Sequence, residues 1–326
     1  MHWVINEPEN VSIPIEEGVV NEYKNDSSRD EKANLLEKIK NHPGGVPCFY
    51  ITDEQNSIIS FGHTGMFRLA YTKKIGEHVP PELLDKATID IAEAIFGNNE
   101  TFTGRLFFED AFLQTSTTGD SEEMCISKTL LGPKPTTFQH YLVQTDKNLD
   151  NHPKDLAHYN STNAIRGNKL YWHKSANWKK ENQNEFNQKI EIKMKPVKPN
   201  KTFTGKIRFE NLSDVELGAL LFALDLPDNC CHKLGMGKPL GLGSVKITPK
   251  LFLSDRMTRY TNLFAEWDTA IPASTAKDKD IPHFKKQFAA YVLNNVTIAP
   301  GTEPVNTLWG IDRMKELKTM LMLDEK

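Results

Sequence analysis

Leu234-Gly235-Met236-Gly237-Lys238-Pro239-Leu240-Gly241-Leu242-Gly243, followed by Ser244-Val245-Lys246-Ile247-Thr248, is the stretch on which the reading of this chain turns. Four glycines fall within it, and a strand pattern comes straight after. Glycine tolerates positive φ and lets backbone come close to a neighbour, and successive N–H groups beside Lys238 suit a phosphate. A merely tight connection would use the same residues. What precedes the loop narrows the choice. Ser213 and Glu216 have the spacing of a capping box, and Leu217, Leu220, Leu221 and Leu224 recur at helical period until Asp225-Leu226-Pro227-Asp228. Helix, loop, strand is the reverse of the dinucleotide-binding order. Lys238 is followed by Pro239, so the phosphate-binding P-loop is excluded as well.

Working outward, an internal repeat appears. Thr101-Phe102-Thr103-Gly104-Arg105-Leu106-Phe107-Phe108-Glu109-Asp110 recurs as Thr202-Phe203-Thr204-Gly205-Lys206-Ile207-Arg208-Phe209-Glu210-Asn211. Two copies do not make a solenoid. They predict paired strands in one sheet, or a duplicated half-domain. Phe108 and Phe209 hold the same repeat position and are expected in the core, with Arg208 pointing outward. A helix is expected to follow Phe61-Gly62-His63-Thr64-Gly65-Met66-Phe67-Arg68, and another lies within Pro81–Phe96, ended by Gly97. Asn21–Gly45, Thr115–Glu123 and Asp146–Asn163 read as loops or insertions, the first with a short helical stretch at Leu35, Leu36 and Ile39. The fold class is α+β on an antiparallel sheet.

Composition sets the outer bounds. The chain has 326 residues, 38% hydrophobic and 25% charged, which is a globular composition. It lacks the run of roughly 20 apolar residues that spans a bilayer, so no membrane is expected. Met1–Glu7 does not read as a secretory signal. Cys48, Cys125, Cys230 and Cys231 form neither a disulfide framework nor a zinc spacing. A reducing cytoplasm and no structural metal are therefore expected. The net charge of −3 argues against binding nucleic acid by bulk charge. Locally the picture differs. Between Ala164 and Arg208 stand twelve Lys/Arg, Lys169 among them, against Glu181, Glu185 and Glu191, with Tyr171, Trp172, His173 and Trp178 interleaved. Such a run serves either as a solvated insertion or as a single-strand surface, where lysines meet phosphates and aromatics stack on bases.

Asn211-Leu212-Ser213, Glu216–Leu220 and His232–Val245 together resemble the C-terminal signature of the RAMP superfamily of CRISPR-associated proteins. Phe96-Gly97, Gly104–Ala111 and Phe61–Arg68 fall where such proteins place their earlier segments. The resemblance covers most of Phe61–Thr248 and is most specific at 232–245. It implies an RRM-like (ferredoxin-like) antiparallel sheet with helices and large insertions. On this reading 1–250 is the RNA-binding domain, with insertions at about 21–45 and 115–200, and 251–326 is a C-terminal helical extension. The resemblance further implies a subunit or module of a type III-like antiviral ribonucleoprotein. Its partners would be CRISPR RNA, target RNA and other effector-complex subunits or RAMP domains. The implied RNA contacts are Gly235, Met236, Gly237, Lys238, Gly241 and Gly243, with Thr64 and Arg68 at the matched positions of a shortened segment. Arg208, Lys169 and Trp172 join them from the charge and aromatic pattern.

Two further functions stay open: an endoribonuclease, and a structural subunit contacting only proteins. Family members that cut target RNA place an acid in the loop ahead of the first helix, here Asp26 or Asp30. One carboxylate orients a hydroxyl or binds a metal, whereas acid–base work normally needs a matched partner. His173 is a candidate acid/base or a base-stacking ring. No cofactor is expected, and a divalent metal only if RNA is cleaved. Of the C-terminal part, Arg256–Trp267 reads as a helix, and Ile311–Leu323 as an amphipathic one with Met314, Leu317 and Leu321 on one face.

Overall fold

A computed structural model of the chain describes residues 11–26, 34–67, 71, 73–85, 87–114, 119–134, 137–145, 156–175, 177–261, 275–296 and 305–323. The chain packs as two compact units, 1–84 with 135–167, and 85–134 with 168–326. Both mix helices with short antiparallel strand pairs, as an α+β chain should.

In the first unit, α1 (Glu17–Asn25) and α2 (Leu35–Lys40) precede the hairpin β1 (Phe49–Thr52) and β2 (Ile58–Gly62). Helix α1 runs into the stretch expected to be irregular. It does so because Tyr23 buries its ring on Phe61, with centroids 4.4 Å apart, and its hydroxyl accepts the Leu35 N–H at 2.9 Å. After β2 the described residues turn through 63–66 and reach a 3-10 turn at Ile75–His78. The buried His78 ring there faces the carbonyls of Tyr159 and Asn163 at 3.0 and 2.8 Å, which ties the turn to the 156–165 segment.

The second unit opens with α3 (Ile91–Phe96), then β3 (Gly97–Asn98), β4 (Phe102–Thr103), β5 (Leu106–Phe108) and β6 (Phe112–Leu113). Helix α3 is shorter than the Pro81–Phe96 pattern suggested. The Asp85 carboxylate accepts from Ala87 N–H and the Thr88 hydroxyl, which holds a turn there, and Asp90 caps the helix by accepting Glu93 N–H at 2.7 Å. Next come β7 (Cys125–Ile126), β8 (Lys193–Met194), β9 (Phe203–Thr204) and β10 (Ile207–Phe209).

The two repeat copies pair with each other. In β5 and β10, Phe108 lies opposite Ile207, Phe107 opposite Arg208 and Leu106 opposite Phe209. Strand β6 continues the ladder with β9. Because both copies share one pattern, the pairing is pseudo-twofold about Phe107 and Arg208. The basic residue after each glycine is not equivalent, however. The Arg105 guanidinium pairs with the Glu216 carboxylate and donates to Ala94 O at 2.8 Å, so it clamps α3 to the next helix.

That helix, α4 (Asp214–Leu224), begins with the expected capping box, in which Ser213 and Glu216 bond reciprocally. It leads to β11 (His232–Lys233), β12 (Ser244–Val245), β13 (Phe252–Leu253), α5 (Arg256–Thr261), β14 (Thr275–Ala276), α6 (Ile281–Asn295) and α7 (Asp312–Leu321). Leu217, Leu221, Leu251 and Ile281 form the core, packed on by Phe209, Leu212, Leu253 and Phe284. The C-terminal residues therefore complete this unit's core. Helices α4 and α6 cross at Gly218, where a Cβ would fall inside contact distance of the Phe284 carbonyl and 2.9 Å from Phe288 Cβ. Lys285 closes the end of α4 by donating to Asp225 O at 3.0 Å and to its carboxylate at 2.8 Å. Met314, Leu317 and Leu321 are all half-buried along α7. No helix among the described residues is long and apolar enough to cross a membrane.

Candidate nucleic-acid interface

The glycine stretch is the connection of a hairpin. Strands β11 and β12 pair His232 with Val245 and Lys233 with Ser244, and Leu234 N–H donates to Gly243 O at 2.8 Å to close the base. Within the loop, Lys238–Leu240 make one 3-10 turn bounded by Gly237 and Gly241. Gly235, Gly237, Gly241 and Gly243 all have positive φ, between 75° and 98°. They differ in what they approach. A Cβ on Gly243 would collide with the Leu234 carbonyl, and one on Gly241 would sit 2.5 Å from Lys174 O, whereas Gly235 has nothing within 4 Å. Gly243, and Gly237 whose Cβ would sit 2.9 Å from Leu242, serve the loop's own closure; Gly241 admits the Lys174 backbone, and Gly235 leaves backbone open.

Lys233 organises the loop from beneath. Its ammonium donates to Gly241 O at 2.9 Å, to Leu242 O at 3.1 Å and to Ser244 Oγ at 3.1 Å, one acceptor for each proton. Burial, then the like charge of Lys174, holds its pKa below the ordinary lysine range. A hydrogen-bond chain continues into His173. Its Nε2 faces Cys231 O at 2.9 Å and so carries the proton it donates, which leaves Nδ1 to accept the Ser244 hydroxyl at 2.8 Å. Burial pushes the His173 pKa down; the Cys231 carbonyl opposes this, and the charges of Lys233 and His232 add to it. The ring is a neutral tie between the 168–174 segment and the hairpin, with both nitrogens occupied. Lys233 and Ser244 were not read from the sequence as site residues. The signal was available in the hairpin register, which sets them opposite one another.

Apolar and basic side chains of the two segments that meet here stay exposed. Trp172 is 55% exposed, Met236 73% and Leu234 65%, and the Lys169 ammonium lies 5.0 Å from the Tyr171 ring centroid. Lys238 is half-buried. Lys169, Lys174, Lys233 and Lys238 have no acidic partner among the described residues. The rest of the basic run is less uniform than its composition suggests. Lys179 pairs with Glu122 at 3.4 Å, Lys180 with Glu191 at 2.8 Å and Lys201 with Asp120 at 2.6 Å. Those lysines hold the insertion together.

Arg208 points outward as expected, but it is engaged. It bonds Glu109 at 3.0 Å, and its guanidinium lies 5.9 Å from the Phe107 ring directly across the ladder. Phe209 packs against the core, whereas Phe108 is 60% exposed and stacks on Phe96, which corrects its expected core position. Among the described residues β5 and β10 form a two-stranded ladder, and the core packs on Phe209 but not on Phe108, so the equivalent repeat positions do not have equivalent cover.

Thr64 is exposed in the turn after β2, in the first unit. Arg68 and Asp30 lie outside the described residues, as does the part of Arg256–Trp267 beyond Thr261. Asp26 directly follows the last residue of α1. Among the described residues no group of three or more His, Cys, Asp or Glu is placed to hold a metal ion.

Comparison with known proteins places this geometry in context. No curated protein matches the chain. A family model does match, that of the RAMP superfamily, over residues 64–246, more than half of the chain.

Proposed function

The chain belongs to the RAMP superfamily, whose members are CRISPR-associated and usually bind RNA, and on that premise we propose that it binds guide RNA as a subunit or module of a type III-like antiviral ribonucleoprotein. In this reading the sheet is RRM-like, and the loop Gly235–Gly243 with Lys238 receives the RNA backbone. Lys169, Trp172 and Arg208 add contacts in the same unit, and Thr64 and Arg68 add contacts from the first. Target RNA and other effector subunits are the expected partners. Affinity comes mostly from phosphates, while base pairing by the RNA supplies sequence.

The observation that carries the reading is the loop itself. Lys233 and His173 hold it from below, Gly235 leaves backbone open, and Lys238 within it and Lys174 against Gly241 have no acidic partner among the described residues. Such a surface gains from a polyanion, because each phosphate it neutralises also releases counterions. Filter binding of labelled single-stranded RNA across a salt series tests the proposal. Binding should fall steeply with salt, and Lys238→Ala should weaken it while lowering the log–log slope by about 0.7, the loss of one phosphate contact on a single strand. No retention of RNA at low salt overturns the proposal.

A further inference from the structure

Resting on that RNA-binding reading, we infer that the loop surface takes an unpaired nucleotide as a unit, its base stacked on Trp172 and its phosphate held by the lysines beside the loop. The 168–174 segment belongs to the insertion, yet it is docked on the glycine hairpin at two points. His173 spans Ser244 Oγ and Cys231 O, and the Lys174 carbonyl lies against Gly241. Trp172 stands immediately before these two fixed residues and keeps 55% of its surface exposed. The backbone next to the indole is pinned while the ring itself is left out.

Charge chooses the occupant. Neither Lys174 nor Lys233 has an acidic partner among the described residues, so the surface carries unrelieved positive charge. Lys169 and Lys238 lie in the same two segments and also lack acidic partners among the described residues. Exposed Leu170, Leu234 and Met236 supply apolar contact of the kind a base or ribose edge covers. An apolar partner alone would leave the lysines uncompensated, and a simple anion would leave the indole uncovered. A single-stranded nucleotide satisfies both, because base–aromatic stacking and phosphate pairing act on one ligand. A duplex would hide the base faces from Trp172, so the nucleotide must be unpaired.

The test compares two labelled probes of equal length, an unstructured polyuridine RNA and a strand built throughout of abasic ribose-phosphate units. Trp172→Ala should weaken polyuridine binding by about 5- to 150-fold, the change that corresponds to about 1–3 kcal/mol of stacking. Binding of the abasic strand should change far less, and Trp172→Phe should keep most of the affinity for both. Thermal melting of each variant should match the unsubstituted protein, since the ring is exposed. An unchanged polyuridine affinity in Trp172→Ala overturns the inference and leaves RNA binding standing. Equal loss on both probes overturns it too, by making the residue structural. If the unsubstituted protein binds neither probe, the RNA-binding reading falls and this inference falls with it.

Discussion

Gly218→Ala adds a single methyl group to the middle of α4. Helix propensity alone makes it a gain of about 1 kcal/mol, because glycine is that much worse than alanine in a helix interior. The packing says the opposite. The new Cβ would fall inside contact distance of the Phe284 backbone carbonyl, 2.8 Å from its carbon and 2.9 Å from Phe288 Cβ. Ordinary contact begins near 3.4 Å, and a backbone carbonyl within α6 has no rotamer by which to withdraw. The two helices must separate, and that disturbs the core of Leu217, Leu221, Leu251 and Ile281. Overpacking costs about 1–3 kcal/mol and occasionally more. Contact with main chain on a rigid helix belongs at the upper end, which leaves a net loss of about 2 kcal/mol. For a unit of this size that lowers the melting temperature by about 4–8 °C. Gly18→Ala is the internal control: it also lies in a helix, α1, but nothing approaches within 4 Å of its added Cβ. It should raise stability by up to about 1 kcal/mol. Circular dichroism melts of the two variants beside the unsubstituted protein decide the matter. A Gly218→Ala variant as stable as the parent, or more so, would refute the α4–α6 crossing described here.

Glu216→Gln should cost about 1.5–3 kcal/mol near neutral pH, the range for hydrogen bonds to a charged group. Burial raises the Glu216 carboxyl, but the bonds from Arg105 and Ser213 outweigh it and leave the pKa depressed. A depressed carboxylate stabilises above its unfolded pKa of about 4.3 and loses that contribution as pH falls through the folded value, so the gap between variant and parent should close under acid denaturation. His173 also has a depressed pKa, so the parent should lose stability as pH falls below about 6.5. A glutamine amide in place of the imidazole can donate to Cys231 O and accept from Ser244, so His173→Gln should melt like the parent at pH 8 and above it at pH 5; parallel pH profiles would contradict the assigned role. Gly243→Ala should destabilise more than Gly235→Ala, though both need positive φ, because only the first meets the Leu234 carbonyl. Equal melting shifts would mean that the loop is not closed as described.

The parts legible in the sequence were those set by local chemistry. Ser213 and Glu216 announced α4, and a repeated ten-residue pattern announced the β5–β10 ladder. Positive φ at all four loop glycines likewise follows from residue type. What sequence could not supply was cover. Phe108 and Phe209 are equivalent in the repeat, but only Phe209 packs on the core that α4 and α6 build, so one is half-buried there and the other stays exposed. Helix α6 was missed although Ile281, Phe284 and Phe288 recur at helical spacing around Pro282; the flanking polar residues hid a stripe whose partner lies in α4.

The lysines teach the same lesson in charge. A count over 164–208 treats Lys179, Lys180 and Lys201 as equal to Lys169 and Lys174, yet the first three are paired with Glu122, Glu191 and Asp120. Two of those acids stand outside the run, brought in by antiparallel pairing of 120–126 with 193–198, which no local window anticipates. Among the described residues Lys189, Lys193, Lys195, Lys198 and Lys206 stay without acidic partners as Lys169 and Lys174 do, and of these Lys174 is the one whose backbone is seated on the glycine hairpin. The basic run and the loop, separate features along the chain, meet where His173 and Lys174 dock against β11 and β12. Charge left unpaired after folding, rather than charge present in composition, is what makes that surface a candidate for RNA.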